Sequence, residues 1–492
     1  MELSLILLTF VFILSKAKTT DPGVKGRLTL KGLQYAWQVG LEEMQKRLET
    51  VQIPDFSGSV SVAVLGNIHY YVTKLQIQNL DLSSSDISFS PDTGISVSIN
   101  NGQIHVTGLL EIQNWLFYAS SWLELSIQGL TLDGVLGITS DDSGHGAVWN
   151  AGCASSVEYV NLWFHGGAGW LFDMFKNSIM GPIHDALHHQ ICPEFTKTVE
   201  HMEKILSNFP VSLPVDQVSS FEISLLGPPN ITEKSFDLLV KGEFVGRSHH
   251  WDLPFPPEKL VLPDIDSRML LLALSEFTAN SAMFVHYKAG ALGINITDDM
   301  IPKQSPLRLN VKNLAMFVPE LPRYFPDSPP LLLEVSAQSA PTVSCQPDSL
   351  TVQVSADIQA FVTYPNQTQI PIFQMQANSV TAVNVVLSEE TMGATISVKN
   401  FSLTLVHSSV GPVKMDDLQR MLNLGLRIMT PVLNERLRRM FPLPTPLVHL
   451  QDPVVRVLQG YIVLMTDLQV TPFSRYYMNP ENHLYSEHFI VL

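Results

Sequence analysis

Histidine, serine and cysteine are the side chains through which this 492-residue chain could do covalent or metal chemistry. Their spacing assembles none of the usual machinery. His165-Gly166-Gly167 matches the glycine loop that offers backbone N–H groups to an oxyanion. No Gly-x-Ser-x-Gly segment supplies the exposed nucleophile such a loop serves, so a glycine bulge near a strand end is the better reading. His184 and His188 stand four apart, a spacing that puts both on one helix face, but no Glu lies between them and no third ligand is near. They read as amphipathic surface, and His249-His250 is weaker still. No phosphate-cradling loop or dinucleotide fingerprint occurs. The residues therefore point to no catalytic group, no metal and no cofactor, and to a protein that binds rather than reacts.

Charge narrows what it binds. Lys plus Arg number 30 against 46 Asp plus Glu, a net −16, whereas a general nucleic-acid binder needs a basic stripe to displace phosphate counterions. Nucleic acid is excluded as a partner. A composition 45% hydrophobic and 15% charged describes a well-packed globular chain. Three cysteines are too few for a disulfide-built scaffold. Cys153 and Cys192 flank a helical stretch and can pair in an oxidising compartment, leaving Cys345 as a buried thiol.

Such a compartment is expected from the first residues. The apolar run Leu3–Leu14 followed by Ser15-Lys16-Ala17 has the pattern of a secretory leader, although the segment before it carries Glu2 and no cation. Residues 1–18 are read as that leader, too short an apolar run to span a bilayer, and the mature protein as secreted and extracellular. Four Asn-x-Ser/Thr triplets, at Asn230, Asn295, Asn366 and Asn400, are candidate glycan sites on its surface.

The elements follow from hydrophobic period. Leu30, Leu33, Trp37, Leu41, Met44 and Leu48 recur at three- and four-residue steps and predict an amphipathic helix ending before Pro54. Period-two alternation then predicts strands around Val60–Val64, Leu75–Ile77, Ile95–Ile99 and Leu123–Ile127, with Asn101-Gly102 read as a hairpin turn. A second long helix is expected over about 170–206. The Pro-rich stretch 252–263 breaks all periodicity and reads as an extended connector. Beyond it strands return, and a helix is expected over about 415–440. Ile179-Met180-Gly181-Pro182-Ile183 is echoed by Ile428-Met429-Thr430-Pro431-Val432, each followed by Phe-Pro, at Phe209 and Phe441. One duplicated α+β unit used twice is the expectation: residues 19–240, a linker and central sheet at 241–264, and residues 265–492.

Several segments resemble the bactericidal/permeability-increasing and lipopolysaccharide-binding protein family. They are Lys31-Gly32-Leu33-Gln34-Tyr35-Ala36, Ile53-Pro54-Asp55-Phe56-Ser57-Gly58, Gly169-Trp170-Leu171-Phe172, and Asn295-Ile296-Thr297-Asp298-Asp299-Met300-Ile301-Pro302. The likeness runs in order over nearly the whole chain and is closest to the branch called BPI fold-containing family C. It implies a boomerang of two elongated antiparallel β-barrels with long helices, joined by a central sheet, each holding a lipid in an apolar pocket. It also implies a Cys153–Cys192 disulfide. Candidate pocket walls are Leu33, Trp37, Leu41 and Met44 on the first helix, with Ile179, Ile183 and Leu187 on the second.

The chain departs from that family in its charge. Endotoxin-binding members carry a basic tip, yet residues 21–240 hold ten Lys/Arg against 23 Asp/Glu, and no Lys or Arg lies between Lys74 and Lys176. In the corresponding hairpin stand Trp115, Phe117, Tyr118 and, just beyond, Trp122, rings suited to a neutral lipid interface if they do not face the core. The expected function is binding, with possible transfer, of phospholipid or another acyl lipid, in transient contact with a membrane or lipid particle. Lipopolysaccharide recognition is the alternative and a secreted lipid hydrolase the third. The oligomeric state is left open.

Overall fold

The computed structural model describes residues 21–48, 55–62, 66–166, 172, 176–301, 308–366, 368–387, 391–438, 441–442 and 448–470. The leader expected at 1–18 and the last residues of the chain lie outside them. Alternating apolar and small polar residues make the first half mostly strand. It runs β1 (Val24–Thr29), α1 (Leu30–Leu48), β2 (Phe56–Val62), β3 (Gly66–Asp81), β4 (Ser85–Ser90), β5 (Gly94–Gln113), β6 (Tyr118–Ser140), β7 (Gly146–Ser156), β8 (Tyr159–His165), α2 (Lys176–Ser207), β9 (Ser212–Pro214), β10 (Ser219–Glu222), β11 (Asn230–Ile231), β12 (Ser235–Val240) and β13 (Glu243–Gly246). The second half runs β14 (Leu270–Ser275), α3 (Glu276–Lys288), β15 (Gly293–Ile296), α4 (Val311–Leu314), α5 (Leu321–Tyr324), β16 (Leu331–Ala337), β17 (Thr342–Gln346), β18 (Ser349–Thr363), β19 (Gln369–Leu387), β20 (Thr391–Ser408), α6 (Met415–Leu437), β21 (Phe441–Pro442), β22 (Val448–Leu458) and β23 (Tyr461–Val470). This is the α+β architecture expected, two similar units meeting in a shared sheet.

The duplication is plainest in that shared sheet, whose order is β11-β12-β1-β14-β23-β22. Each half contributes its opening strand, β1 or β14, next to one of its closing strands, β12 or β23. The two opening strands pair antiparallel at the centre. Both pass directly into a helix. The echoed pentapeptides do not carry this symmetry: Pro182 lies near the start of α2 and Pro431 near the end of α6.

The connector differs from the expectation that residues 241–264 form the central sheet. Every strand of that sheet lies outside 241–264. Pro254, Pro256, Pro257 and Pro263 lack the N–H a ladder requires. The stretch instead straps across the sheet, burying Leu260 and Leu262 against Leu271, Ala273, Val463 and Met465. The Tyr461 hydroxyl donates to the carbonyl of Val261.

Asn101-Gly102 is also not a turn. It lies inside the 20-residue strand β5, where Asn101 takes φ +56°. The pairing with β6 slips there, between Ile99↔Leu132 and Ile104↔Ile127. Asn and Gly tolerate the left-handed backbone that either a tight turn or a bulge needs. The apolar residues on both sides belong to one long strand, so the bulge wins.

Charge welds the centre. Arg27 donates to both oxygens of Asp237, at 2.7 and 2.9 Å, with Lys25 at 3.3 Å from the same buried carboxylate. The hydrogen bond to Asp237 holds the Arg27 guanidinium above its ordinary value, against the opposing effect of burial. Asp467 on the last strand accepts from Lys31 of α1 at 2.9 Å and from the Met269 N–H at 3.0 Å. The ends of the fold are thereby tied together.

In the first half α2 packs along β7, held by the Cys153–Cys192 disulfide with Cα atoms 5.7 Å apart. Asn150 Nδ2 donates to Thr196 Oγ1 at 2.8 Å one turn further on. Cys345 is buried. Burial, with the Glu276 carboxylate nearby, pushes its thiol up to about 12, and it is chemically quiet at neutral pH. The bridge closes a loop of 39 residues, which corresponds to about 4 kcal/mol of denatured-state entropy. Replacing both Cys153 and Cys192 by Ser should lower the unfolding free energy by about that amount in denaturant titrations, and reducing agent should reproduce the loss.

Candidate functional site

In the first half, α1 and α2 converge on one apolar face of the sheet. Leu41 of α1 and Met180 and Ile191 of α2 pack against the buried cluster of Leu82, Ile99, Ile127, Leu130, Val157 and Val160. Towards the β5–β6 hairpin, Met180 also meets a second cluster that includes Leu110, Leu162 and Phe172. Of the wall candidates, Leu33 is only 4% exposed and sits in solid core with Ile87, Phe89 and Ile231. Trp37 packs against the same cluster and donates its Nε1–H to Ser85 Oγ at 3.1 Å. Both act as anchors of α1, and Leu41 lies closer to the seam between the helices. Met44 lies on α1 and Ile179, Ile183 and Leu187 on α2. Their side chains fall outside the described residues.

In the second half α6 keeps one apolar flank uncovered. The N-terminal turns of α6 belong to the core through Leu418, with Met415, Met421 and Leu422 packed alongside. The helix then runs antiparallel to β20 and is fastened to it by two amide side chains. Gln419 accepts from the Leu403 N–H at 3.3 Å and donates to the Phe401 carbonyl at 3.2 Å. Asn434 accepts from the Ile396 N–H at 2.7 Å and donates to the Ile396 carbonyl at 3.1 Å. Each amide thus satisfies strand groups that the short partner β21 does not reach. Beyond Met421 the helix exposes Leu424, Ile428 and Val432, spaced four apart as a single stripe. An open groove of about 360 Å³ lies at the head of that stripe, lined by Met316, Phe317, Asp417, Arg420, Met421 and Leu424. Its volume falls in the range of small-ligand sites. The period-3.6 pattern of residues 415–440 marked this helix. Nothing in the sequence showed that its apolar stripe would be left uncovered.

The aromatic cluster divides between core and surface. Phe117 packs inward. Trp115, at the hairpin tip, is 81% exposed, and Leu116, Tyr118 and Trp122 are exposed beside it. Asn114 Oδ1 accepts from the Leu116 and Phe117 N–H groups at 2.8 and 2.9 Å, and the Asn114 N–H donates to the Phe117 carbonyl at 3.0 Å. The tip is therefore pre-built and presents its rings without further ordering. Tyr118 donates to Glu111, which raises the phenol above its ordinary range. Along the outer face of β8, Tyr159 and Trp163 extend the exposed aromatic surface. The four sequon asparagines, Asn230, Asn295, Asn366 and Asn400, are all exposed, and none lies on this face.

Comparison with known proteins accounts for the whole architecture. Residues 32–208 match the N-terminal domain, and residues 214–470 the C-terminal domain, of the LBP / BPI / CETP family. The chain belongs to that family. It is 33% identical to a bactericidal permeability-increasing protein of Sebastes schlegelii, over 94% of this chain and 98% of that one. A lipopolysaccharide-binding protein of Bos taurus is 29% identical over 95% of this chain and 97% of its own length. BPI fold-containing family C protein of Homo sapiens is 26% identical over 96% and 93%. A crystal structure of lipopolysaccharide binding protein superposes with a TM-score of 0.57 at 27% identity, covering 92% of this chain and 99% of that one. The family models and these names describe binding proteins, not enzymes. Among the described residues no group of three or more His, Cys, Asp or Glu is placed to hold a metal, and no helix is long and apolar enough to cross a membrane.

The amide clamps give the site a direct test. Replacing Asn434 by Leu leaves the Ile396 N–H and carbonyl without partners and should cost about 1–3 kcal/mol of stability. Hydrogen exchange should rise at Ile396 and along α6 and stay unchanged in the first half.

Proposed function

We propose that the protein is a secreted lipid-binding protein that holds phospholipid-like molecules by apolar burial in its helix–sheet seams, without cofactor or reaction. The observation that carries this reading is the uncovered stripe of Leu424, Ile428 and Val432 beside the groove at Met421. An apolar stripe left open to water along a helix that otherwise packs on a core calls for an apolar occupant. An acyl chain suits it, because each methylene removed from water contributes about 0.8 kcal/mol. Two long chains would gain on the order of 20 kcal/mol before ordering costs. The seam shared by Leu41, Met180 and Ile191 is the matching place in the first half. Access to a lipid surface would come through the hairpin tip, where Trp115, Tyr118 and Trp122 offer amphipathic rings and Leu116 an apolar side chain, without cations. Export agrees with the apolar run at residues 3–14 and with the exposed sequons.

A second reading, recognition of lipopolysaccharide, is favoured by the names of the relatives. Against it stands the charge of the first half. Each cation near an anionic surface contributes about 1 kcal/mol, and the stretch between Lys74 and Lys176 supplies none.

Native mass spectrometry of the purified protein decides between them. Two co-purifying acyl lipids per chain, and lipid A vesicles bound no more tightly than neutral ones at physiological salt, are the expected results. An empty protein that takes up endotoxin stoichiometrically would establish the second reading instead.

A further inference from the structure

Both oxygens of the Glu124 carboxylate are taken by imidazoles. His105 Nε2 lies 3.1 Å from Oε1, and His165 Nε2 lies 2.8 Å from Oε2. The three residues come from three adjacent strands, β5, β6 and β8. Strand register also puts Trp122 opposite His165 and Trp163 opposite Glu124, so the bridge sits among the exposed rings. All three side chains remain open to solvent, His165 the most, at 58%.

The surroundings hold little other charge. From β3, Gln78 donates to Thr107 Oγ1 at 2.9 Å next to the bridge, and Lys74 lies at the bulge nearer the hairpin tip. From β5, Glu111 is engaged by Tyr118. Glu158, hydrogen-bonded to Tyr159, stands at the start of β8. His145 is paired with Asp141 at the far end of β6. With no Lys or Arg between Lys74 and Lys176, histidine is the only source of positive charge on β4 through β8.

Imidazole is the side chain type whose charge changes between pH 5 and 8. With both rings neutral the bridge carries −1. With both protonated it carries +1 while keeping both hydrogen bonds to Glu124, and each ring gains a second N–H.

We propose that the His105–Glu124–His165 bridge is a proton-operated contact for anionic lipid headgroups. In neutral solution its carboxylate repels phosphate, and the aromatic face meets uncharged lipid surfaces only. In acid the two imidazolium rings offer N–H donors and a net positive charge to headgroup phosphates, and the same face engages an anionic surface. The inference rests on the docking reading of that face and adds the headgroup class and the condition under which it is accepted. A change of two charges beside the surface corresponds to roughly tenfold to thirtyfold tighter binding.

The test is flotation of the full-length protein with vesicles of phosphatidylcholine alone, or of phosphatidylcholine with about one quarter phosphatidylglycerol, at about pH 7.4 and about pH 5.5. Wild type should bind the anionic vesicles roughly tenfold or more tightly at the lower pH, with binding to pure phosphatidylcholine unchanged. His105→Gln/His165→Gln keeps a donor to Glu124 at each position without the charge, and should lose most of the acid gain. The single variant His165→Gln, at the most exposed member, should lose about half, and circular dichroism at both pH values checks that the fold is intact. No acid gain in wild type, or a full gain in the double variant, overturns the proposal. Failure of the docking reading shows separately, as equal binding to phosphatidylcholine by wild type and Trp115→Ser/Trp122→Ser.

Discussion

Each half of this chain builds an antiparallel sheet with one apolar face and gives that face long helices as cover. A sheet curves under its own twist while a helix stays nearly straight, so contact between them is close at some points and loose at others. The structure fastens the helices where contact is close. The Cys153–Cys192 bridge and the Asn150–Thr196 hydrogen bond hold α2 on β7, and the amides of Gln419 and Asn434 hold α6 along β20. Away from those points α6 carries an uncovered apolar stripe, and an open groove lies between it and Met316 and Phe317.

The central sheet lets two such units coexist in one chain. Its strand order reads the same from either end, opening strands at the centre and closing strands outside them. The Asp467 cluster ties the halves together through charge, and the Arg27–Asp237 pair locks β1 to β12 within the first half. Removing Arg27 would strip the buried Asp237 carboxylate of its two-point partner and leave it only Lys25, at a cost of several kcal/mol. On its outer face the first half carries exposed aromatic rings and histidines, with no Lys or Arg between Lys74 and Lys176.

Much of the fold was legible from period alone. The stripe from Leu30 to Leu48 lies in α1, and the helices expected near 170–206 and 415–440 correspond to α2 and α6. Errors arose where one local signal serves two structures. Asn101-Gly102 supports a positive φ equally in a turn or a bulge, and only the length of β5 decides between them. The proline stretch was rightly read as extended, but its burial over the central sheet depends on strands from both ends of the chain. The candidate site was legible in part. Leu33 and Trp37 share the apolar face of α1, yet its first turns seal core, and among the described side chains of that face Leu41 is the one that nears the seam. The His–Glu–His bridge was beyond reach, since its residues are dispersed along the chain and meet only through the register of three strands.

The account stands on the claim that the helix–sheet seams hold acyl chains. A high-resolution crystal structure of the protein purified with its native lipid tests this most directly. The account predicts continuous tubular density between α6 and the sheet, alongside Met421 and Leu424, and a second tube near Leu41 and Met180. Side chains closed across both seams, with no density between them, would contradict it.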